Sequence, residues 1–396
     1  ATGGICNINN AEGFAEDFDL PNKEAYCETC ASIGMCFWNQ RMNSLKGEAR
    51  YIDVLERALY NGVIDGISLS ADHFFYVNPL ESDGNHHRQP WYDTACCPSN
   101  LSRFLPSIGN YIYATSEGAL WLNLYIGNDA DVSIDGNPVK VSVRTLYPQD
   151  GHVDMTLTPE KTQRFTLRLR RPDWARDFAV KVNGKQVKAT QTDGYICIDR
   201  KWKKGDKVTV DMPMPVETCA ADPRVKADAG KRYLRRGPVV YCMEGIDNPS
   251  YATASLSPAT GYTATWNPDL LGGCTVITAR EGNNTLTFIP YHLWDNRDAC
   301  PMKVWVDYRE QPQQPTRTDR LLNFGWRYKV GDEPGAKNPV FDDSGWQTVN
   351  LPHDGSIHGA FDKDGSTQEN GFRPRHIGWY RRSFTIPAAD IRNKRI

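Results

Sequence analysis

The chain has 396 residues, 40% of them hydrophobic and 24% charged, the composition of an ordinary globular protein. That length accommodates roughly two to four domains. A net charge of −2 gives no basis for nucleic-acid binding, and no window approaches the ~18 unbroken apolar residues of a membrane span.

Residues 1–116 read as loops alternating with amphipathic helices. Over 51–66 the apolar residues Ile52, Leu55, Leu59 and Val63 recur at spacings of three and four, with Gly66 as a stop. Over 98–115 Leu101, Leu105, Ile108 and Ile112 do the same, and Pro98 suits a first helical turn. A third helix with a less regular pattern is predicted over 31–42, and 73–80 reads as extended. The candidate chemistry of this region lies at helix ends and in the loops between them.

The texture changes near Glu117. Strands are predicted at 119–126, 139–146, 164–169, 179–182, 195–198 and 207–212, several with period-two alternation. Asn183-Gly184 is a hairpin turn. A second all-β block over 219–308 includes strands at 238–243 and 286–290. Residues 309–318 (REQPQQPTRT) have linker chemistry, and aromatic-rich turns between short strands follow. The chain starts at Ala1 and stops at Ile396 as another strand begins, so it is expected to be a fragment cut at both ends.

Eleven cysteines on a chain of this length do not describe a small disulfide scaffold. Cys197, Cys219, Cys242, Cys274 and Cys300 lie singly in apolar or strand-like surroundings and are expected to be buried. Glu28-Thr29-Cys30 and Cys96-Cys97-Pro98 supply one carboxylate and three thiols, donors that suit zinc. On extended backbone the side chains at positions i and i+2 share a face, which lets Glu28 and Cys30 meet one ion. Spacing alone leaves three alternatives: structural cysteines, disulfides, and a four-thiol site built from Cys27, Cys30, Cys96 and Cys97.

The runs DFDLPNKEAYCETCASIG (17–34), LERALYNG (55–62), FYVNPL (75–80) and Cys96-Cys97-Pro98 resemble, in order, glycoside hydrolase family 127 and its close relative family 146. The similarity spans roughly 1–308. It implies a retaining, zinc-dependent β-L-arabinofuranosidase acting on plant arabinosides. The implied zinc ligands are Glu28, Cys30, Cys96 and Cys97. Cys96 is the implied nucleophile, its thiolate held ionised by the metal. Glu12 is the implied acid/base, a choice among Glu12, Glu16, Asp17 and Asp19 that only the resemblance makes. Glu56 and Tyr76 match positions that hydrogen-bond the arabinofuranose. On pattern alone, Glu56 reads equally as a surface carboxylate and Tyr76 as a core residue.

The implied architecture is multidomain, α plus all-β: the C-terminal portion of an (α/α)6 catalytic barrel at 1–116 and β-sandwiches at 117–218 and 219–308. After the linker, 319–396 resembles part of the jelly-roll sugar-binding domain of glycoside hydrolase family 2, the β-galactosidase-like enzymes. Its usual tryptophan after Leu-Pro-His-Asp is here Gly355. The family's sugar-contacting histidines belong to an upstream half, so the fragment is expected to be inactive by itself; His86 and His87, in a polar loop, are expected to be solvated. The sandwiches are expected to serve packing and oligomerisation, with a homodimer as the assembly, and Trp174, Trp202 and Trp294 are open to a sugar-binding role. Two fused glycosidases point to a periplasmic or secreted protein of a Bacteroidetes-type glycan scavenger. The competing readings are a non-catalytic carbohydrate-binding protein with structural zinc and a β-galactosidase whose barrel lies downstream.

Overall fold

A computed structural model of the chain describes residues 1–5, 12–281, 283–310, 322–356, 360–362, 364, 373 and 376–385. It is mostly β with few helices and divides into two units, Ala1–Gln313 and Gln314–Ile396.

In the first unit, helix α1 (Thr29–Lys46) follows the extended residue Glu28 and ends at Gly47, whose positive φ lets its N–H return to the Asn43 carbonyl. Helix α2 (Ala49–Ala58) does not run on to Gly66 as the periodicity predicts. It widens into a π turn at Leu59–Val63 and closes as a 3₁₀ turn at Ile64–Gly66. Asn61 accounts for the change. Its amide donates to the carbonyls of Arg57 (2.8 Å) and Pro238 (2.9 Å), and its Oδ1 accepts the Val240 N–H (2.8 Å). The side chain thus completes the hydrogen bonding of a buried strand start, and the helical register gives way to it. Gly66 is needed where it stands, because a Cβ there would lie 2.6 Å from Thr29 Cγ2.

Helix α3 (Cys96–Phe104) begins two residues before Pro98 and is interrupted after Phe104. Pro106 lacks the N–H that would continue the ladder, so a 3₁₀ turn and one short helical turn (Gly109–Ile112) follow. Residues 113–115, predicted as helix, belong to the strand Tyr113–Ser116, which pairs with Ala119–Leu122. Ile33 and Cys36 of α1, Ile52 and Leu55 of α2, and Leu101 and Phe104 of α3 form one buried cluster, which fixes the relative placement of the helices.

Two sheets pack face to face beyond the helices. One has five strands in the order Thr190–Thr192, Tyr195–Trp202, Gln163–Arg170, Ala119–Leu122, Tyr113–Ser116. The other has six, in the order Asn128–Ile134, Asn137–Thr145, His152–Pro159, Asp206–Asp211, Ala179–Val182, Lys185–Gln186. Their inner faces alternate along the strand: Val153, Met155 and Leu157 point in toward Leu120, Leu167, Leu169 and Trp202. Asn183 and Gly184, both at positive φ, turn the Ala179–Val182 hairpin.

The third sheet, of ten strands, is built around Lys231–Arg236, Val239–Glu244, Asn284–Pro290 and Cys274–Glu281. Glu81–Ser82 joins it by pairing with Met302–Lys303, so a short strand from the helical region is stitched into a sheet formed by the far end of the unit. Trp174, Trp202 and Trp294 are buried and offer no face to a sugar; all three fill core. Cys242 and Cys274 are buried, whereas Cys197, Cys219 and Cys300 are only partly so, short of the burial predicted for them; no disulfide joins any two of the ten described cysteines.

In the second unit Trp326–Val330 is flanked by Gln347–Val349 and Gly378–Arg381. Tyr328 packs on His353 and Tyr380, and a Cβ at Gly355 would lie 1.8 Å from its hydroxyl. The tyrosine fills the space a tryptophan at 355 would require. His353 and Asp354 are turn partners: His353 Nδ1 lies 2.8 Å from the Tyr380 hydroxyl, and Asp354 accepts the Ser356 N–H at 2.9 Å. From residue 311 the predicted linker falls outside the described residues, as does most of 357–375.

Candidate metal and active centre

Two helix starts meet at the centre. Glu28 precedes α1, Cys30 lies in its first turn, and Cys96 and Cys97 open α3. The structure brings these four together: one ligand atom from each lies within 4.8 Å of all the others. The first-turn N–H groups and the positive ends of both helix dipoles favour negative charge on such donors.

Cys27 takes no part in the cluster. Its φ of 36° places it in the left-handed region, which breaks the alternation of the extended segment. Its thiol is buried against the backbone of Gly4 instead. The four-thiol arrangement is therefore not formed.

The distances test whether zinc fits. With Zn–S near 2.3 Å and Zn–O near 2.0 Å, tetrahedral geometry puts sulfurs about 3.8 Å apart and sulfur about 3.5 Å from oxygen. Glu28 Oε1 lies 3.7 Å from Cys96 Sγ and 3.5 Å from Cys97 Sγ, and the two sulfurs are 3.9 Å apart. That is far beyond the ~2.05 Å of a disulfide. The donor set and its spacing fit a tetrahedral dication.

The thiols share protons unequally. A hydrogen bond from Cys97 lowers Cys30 to about 7, while the same contact raises Cys97 and burial raises Cys96. Glu28 and Cys97 are buried; Cys30 and Cys96 are partly open, so the accessible side of the cluster carries the Cys96 sulfur.

Tyr76 lies next to that sulfur, its hydroxyl 3.0 Å from Cys96 Sγ. Its backbone is fixed on both sides: its carbonyl accepts the Thr29 N–H at 3.0 Å, and its N–H donates to the Tyr92 hydroxyl at 3.2 Å. Glu12 is exposed on the N-terminal loop, with its charge felt by the Tyr26 hydroxyl. Glu16, Asp17 and Asp19 are equally exposed, so burial does not choose among the four.

Glu56 requires a correction. It is neither a surface carboxylate nor free to meet a sugar. Oε1 accepts hydrogen bonds from the Tyr147 hydroxyl (2.5 Å) and Arg170, and Oε2 faces Trp174 Nε1 at 3.3 Å, all of it buried. The polar face of α2 turns toward the sheets here, a placement that helix periodicity does not reveal. His86 is half-buried rather than solvated, whereas the His87 side chain keeps 40% of its surface exposed. His86 stacks on Phe75 at 5.0 Å and contacts the Val77 carbonyl at 2.9 Å, and His87 Nδ1 lies 2.6 Å from Asp295.

A cleft of about 290 Å³ is lined by Tyr26, Val77, His86 and Glu24 among others, with none of the cluster residues in its wall. A larger one of about 500 Å³, at the start of α2, has none of the cluster residues in its wall.

Comparison with known proteins adds the following. Residues 1–110 match the profile of the β-L-arabinofuranosidase GH127 catalytic domain, residues 119–214 that of the GH127 middle domain, and residues 216–307 that of the glycoside hydrolase family 127 C-terminal domain. The non-reducing end β-L-arabinofuranosidase of Bifidobacterium longum subsp. longum is 33% identical over 349 residues, 77% of this chain and 52% of that protein. The crystal structure of Ara127N-Se, a GH127 β-L-arabinofuranosidase from Geobacillus stearothermophilus T6, superposes with a TM-score of 0.74 at 43% identity, covering 78% of this chain and 54% of that one. The chain thus spans about half the length of these relatives. A stretch of 93 residues, 23% of this chain, is 39% identical to β-galactosidase BoGH2A of Bacteroides ovatus, covering 10% of that protein.

Proposed function

The chain belongs to glycoside hydrolase family 127, and from that premise we propose that the protein is a retaining, zinc-dependent β-L-arabinofuranosidase acting on plant arabinosides. The observation that carries the reading is the convergence of Glu28, Cys30, Cys96 and Cys97 within 4.8 Å, at separations suited to a tetrahedral ion. Zinc, when bound, supplies the positive charge that keeps the sulfur ligands deprotonated.

Cys96 Sγ, on the open side of the cluster, attacks the anomeric carbon while the leaving oxygen takes a proton from Glu12. A thioglycosyl intermediate results. Glu12, now ionised, accepts a proton from water as the water displaces the sulfur, so two inversions give net retention. Tyr76 holds the sulfur in place and presents a hydroxyl at the reacting face. Export to the periplasm or cell exterior and pairing as a homodimer belong to the same reading, and the 93-residue similarity to BoGH2A supports a family 2-type module at the C-terminal end.

The test is chemical. In a protein extended to the length of the relatives, Cys96→Ser should abolish release of L-arabinose from an aryl β-L-arabinofuranoside while the fold persists. A sugar adduct on Cys96, trapped by acid quench and located by mass spectrometry, is the positive result. Undiminished hydrolysis by the variant would remove Cys96 from the mechanism. Unfolding with no change in sugar chemistry favours the rival, a carbohydrate-binding protein with structural zinc.

A further inference from the structure

Thr29 stands between two of the four donors, Glu28 and Cys30, and both of its own polar groups are bound to a second segment. Its N–H donates to the Tyr76 carbonyl at 3.0 Å and its hydroxyl to the Phe75 carbonyl at 2.9 Å. Asn78 completes the contact. Its N–H donates to the Cys27 carbonyl at 3.3 Å, and its side-chain amide donates to the same carbonyl at 2.8 Å and to the Thr29 hydroxyl oxygen at 2.9 Å. A carbonyl can only accept, so the amide nitrogen must point this way. Thr29 and Asn78 are both buried, and water does not compete for these bonds.

The turn held in this way needs holding. Cys27 has a φ of 36°, a left-handed conformation that a Cβ disfavours, and the ligands Glu28 and Cys30 follow directly on it. Backbone pairing across the two segments is an isolated bridge, Glu28–Val77. The Asn78 segment, by contrast, is anchored in the core: Phe75 stacks on Trp294 at 4.9 Å, and the Pro79 carbonyl accepts the Tyr291 hydroxyl at 2.9 Å.

We propose that Asn78 is a positioning residue for the metal centre: its amide latches the turn at 27–29 to this anchored segment, and so sets the Glu28 carboxylate and the Cys30 thiol at ligand separation before an ion arrives. The inference rests on the reading of Glu28, Cys30, Cys96 and Cys97 as a metal centre. The latch acts on one half of that donor set, because Cys96 and Cys97 come from α3. Its loss is therefore felt at Cys30 and not at the other two thiols.

Cobalt(II) is the probe, since its visible absorption reports thiolate ligation and its affinity is read by competition with a chelator. Asn78→Leu stays neutral and close in size but loses both side-chain donors. Thr29→Val keeps the shape, including the methyl that meets Gly66, and loses the hydroxyl. Each should weaken cobalt binding by about 10- to 100-fold, the usual cost of removing a group that orients a ligand. With cobalt saturating, iodoacetamide should alkylate Cys30 faster in both variants while Cys96 and Cys97 stay protected, as read by peptide mass spectrometry. The double variant should bind little worse than either single one, because both substitutions break the same chain of hydrogen bonds. If Asn78→Leu does not fold, Thr29→Val decides alone. Unaltered affinity and unaltered Cys30 protection overturn the latch and leave the metal centre standing. Equal exposure of all three thiols also overturns it, since that marks general loosening. An unsubstituted chain that takes up no cobalt overturns the metal centre itself, and the latch with it.

Discussion

Arg170, the last residue of the strand Gln163–Arg170, donates to Glu56 of helix α2, and both side chains are sealed from water. Arg170 also pairs with Asp53 at 2.6 Å and donates to the Asn123 carbonyl at 2.6 Å, so one guanidinium ties the helical region to the first pair of sheets. Breaking a buried pair from one side leaves a charge without compensation and costs about 3–5 kcal/mol. Glu56→Ala should therefore destabilise the chain by about that much, seen as a fall in the urea midpoint, and Glu56→Gln by less, because its amide oxygen still accepts a hydrogen bond from Arg170. A native-like midpoint for Glu56→Ala would show the network to be dispensable.

The cluster of Glu28 and three thiols should take up about one zinc ion per chain and protect about three thiols from a colorimetric thiol reagent. Chelation at neutral pH should release both together and lower the melting temperature. A Cys96–Cys97 disulfide in freshly purified protein would count against a thiolate at this position.

Burial pushes the Asp65 carboxyl up to about 7, although Arg88 stands 3.0 Å away and opposes the shift. A folded value above the ordinary 3.8 means that folding favours the protonated form. The associated stability is complete below about pH 4 and is lost as the pH rises to about 7. Asp65→Asn removes that dependence. The stability of the unsubstituted chain relative to Asp65→Asn should therefore fall between about pH 4 and pH 7, measured by denaturant melts at each pH. A gap that widens across this window would reverse the sign argued here.

Gly355→Ala should destabilise the second unit by about 1–3 kcal/mol, since the added carbon overlaps the Tyr328 hydroxyl and overpacking of this kind is rarely absorbed. Faster hydrogen exchange across Trp326–Val330 is the readout, and Tyr328→Phe in the same background should restore part of the protection. Unchanged exchange would mean that the turn moves aside freely.

Much of the β architecture was legible in the sequence because its cause is local. Val153, Met155 and Leu157 alternate with polar residues, and Asn183-Gly184 takes the positive φ values that a tight hairpin demands. Apart from the break of α3 at Pro106, the following errors have distant causes. Asn61 bends the end of α2 because Pro238 and Val240, 177 and 179 residues later, need its amide. Glu56 is buried because Arg170 arrives from 114 residues downstream. His86 reads as solvated only until Phe75 and the distant Trp294 stack near it. At the centre, the donor types were visible but their convergence was not. Spacing left several pairings open, and the left-handed turn at Cys27 that separates it from the other thiols has no periodic signature.

The segment that carries Tyr76 is held mainly by residues made much later. Phe75 packs on both His86 and Trp294, Tyr291 donates to the Pro79 carbonyl across 212 residues, and Glu81–Ser82 finds its strand partner only at Met302–Lys303. During translation, Cys30, Cys96 and Cys97 therefore leave the ribosome long before the wall that gathers them exists. A metal ion held by these thiols would therefore find the surrounding wall complete only once Met302–Lys303 has been made.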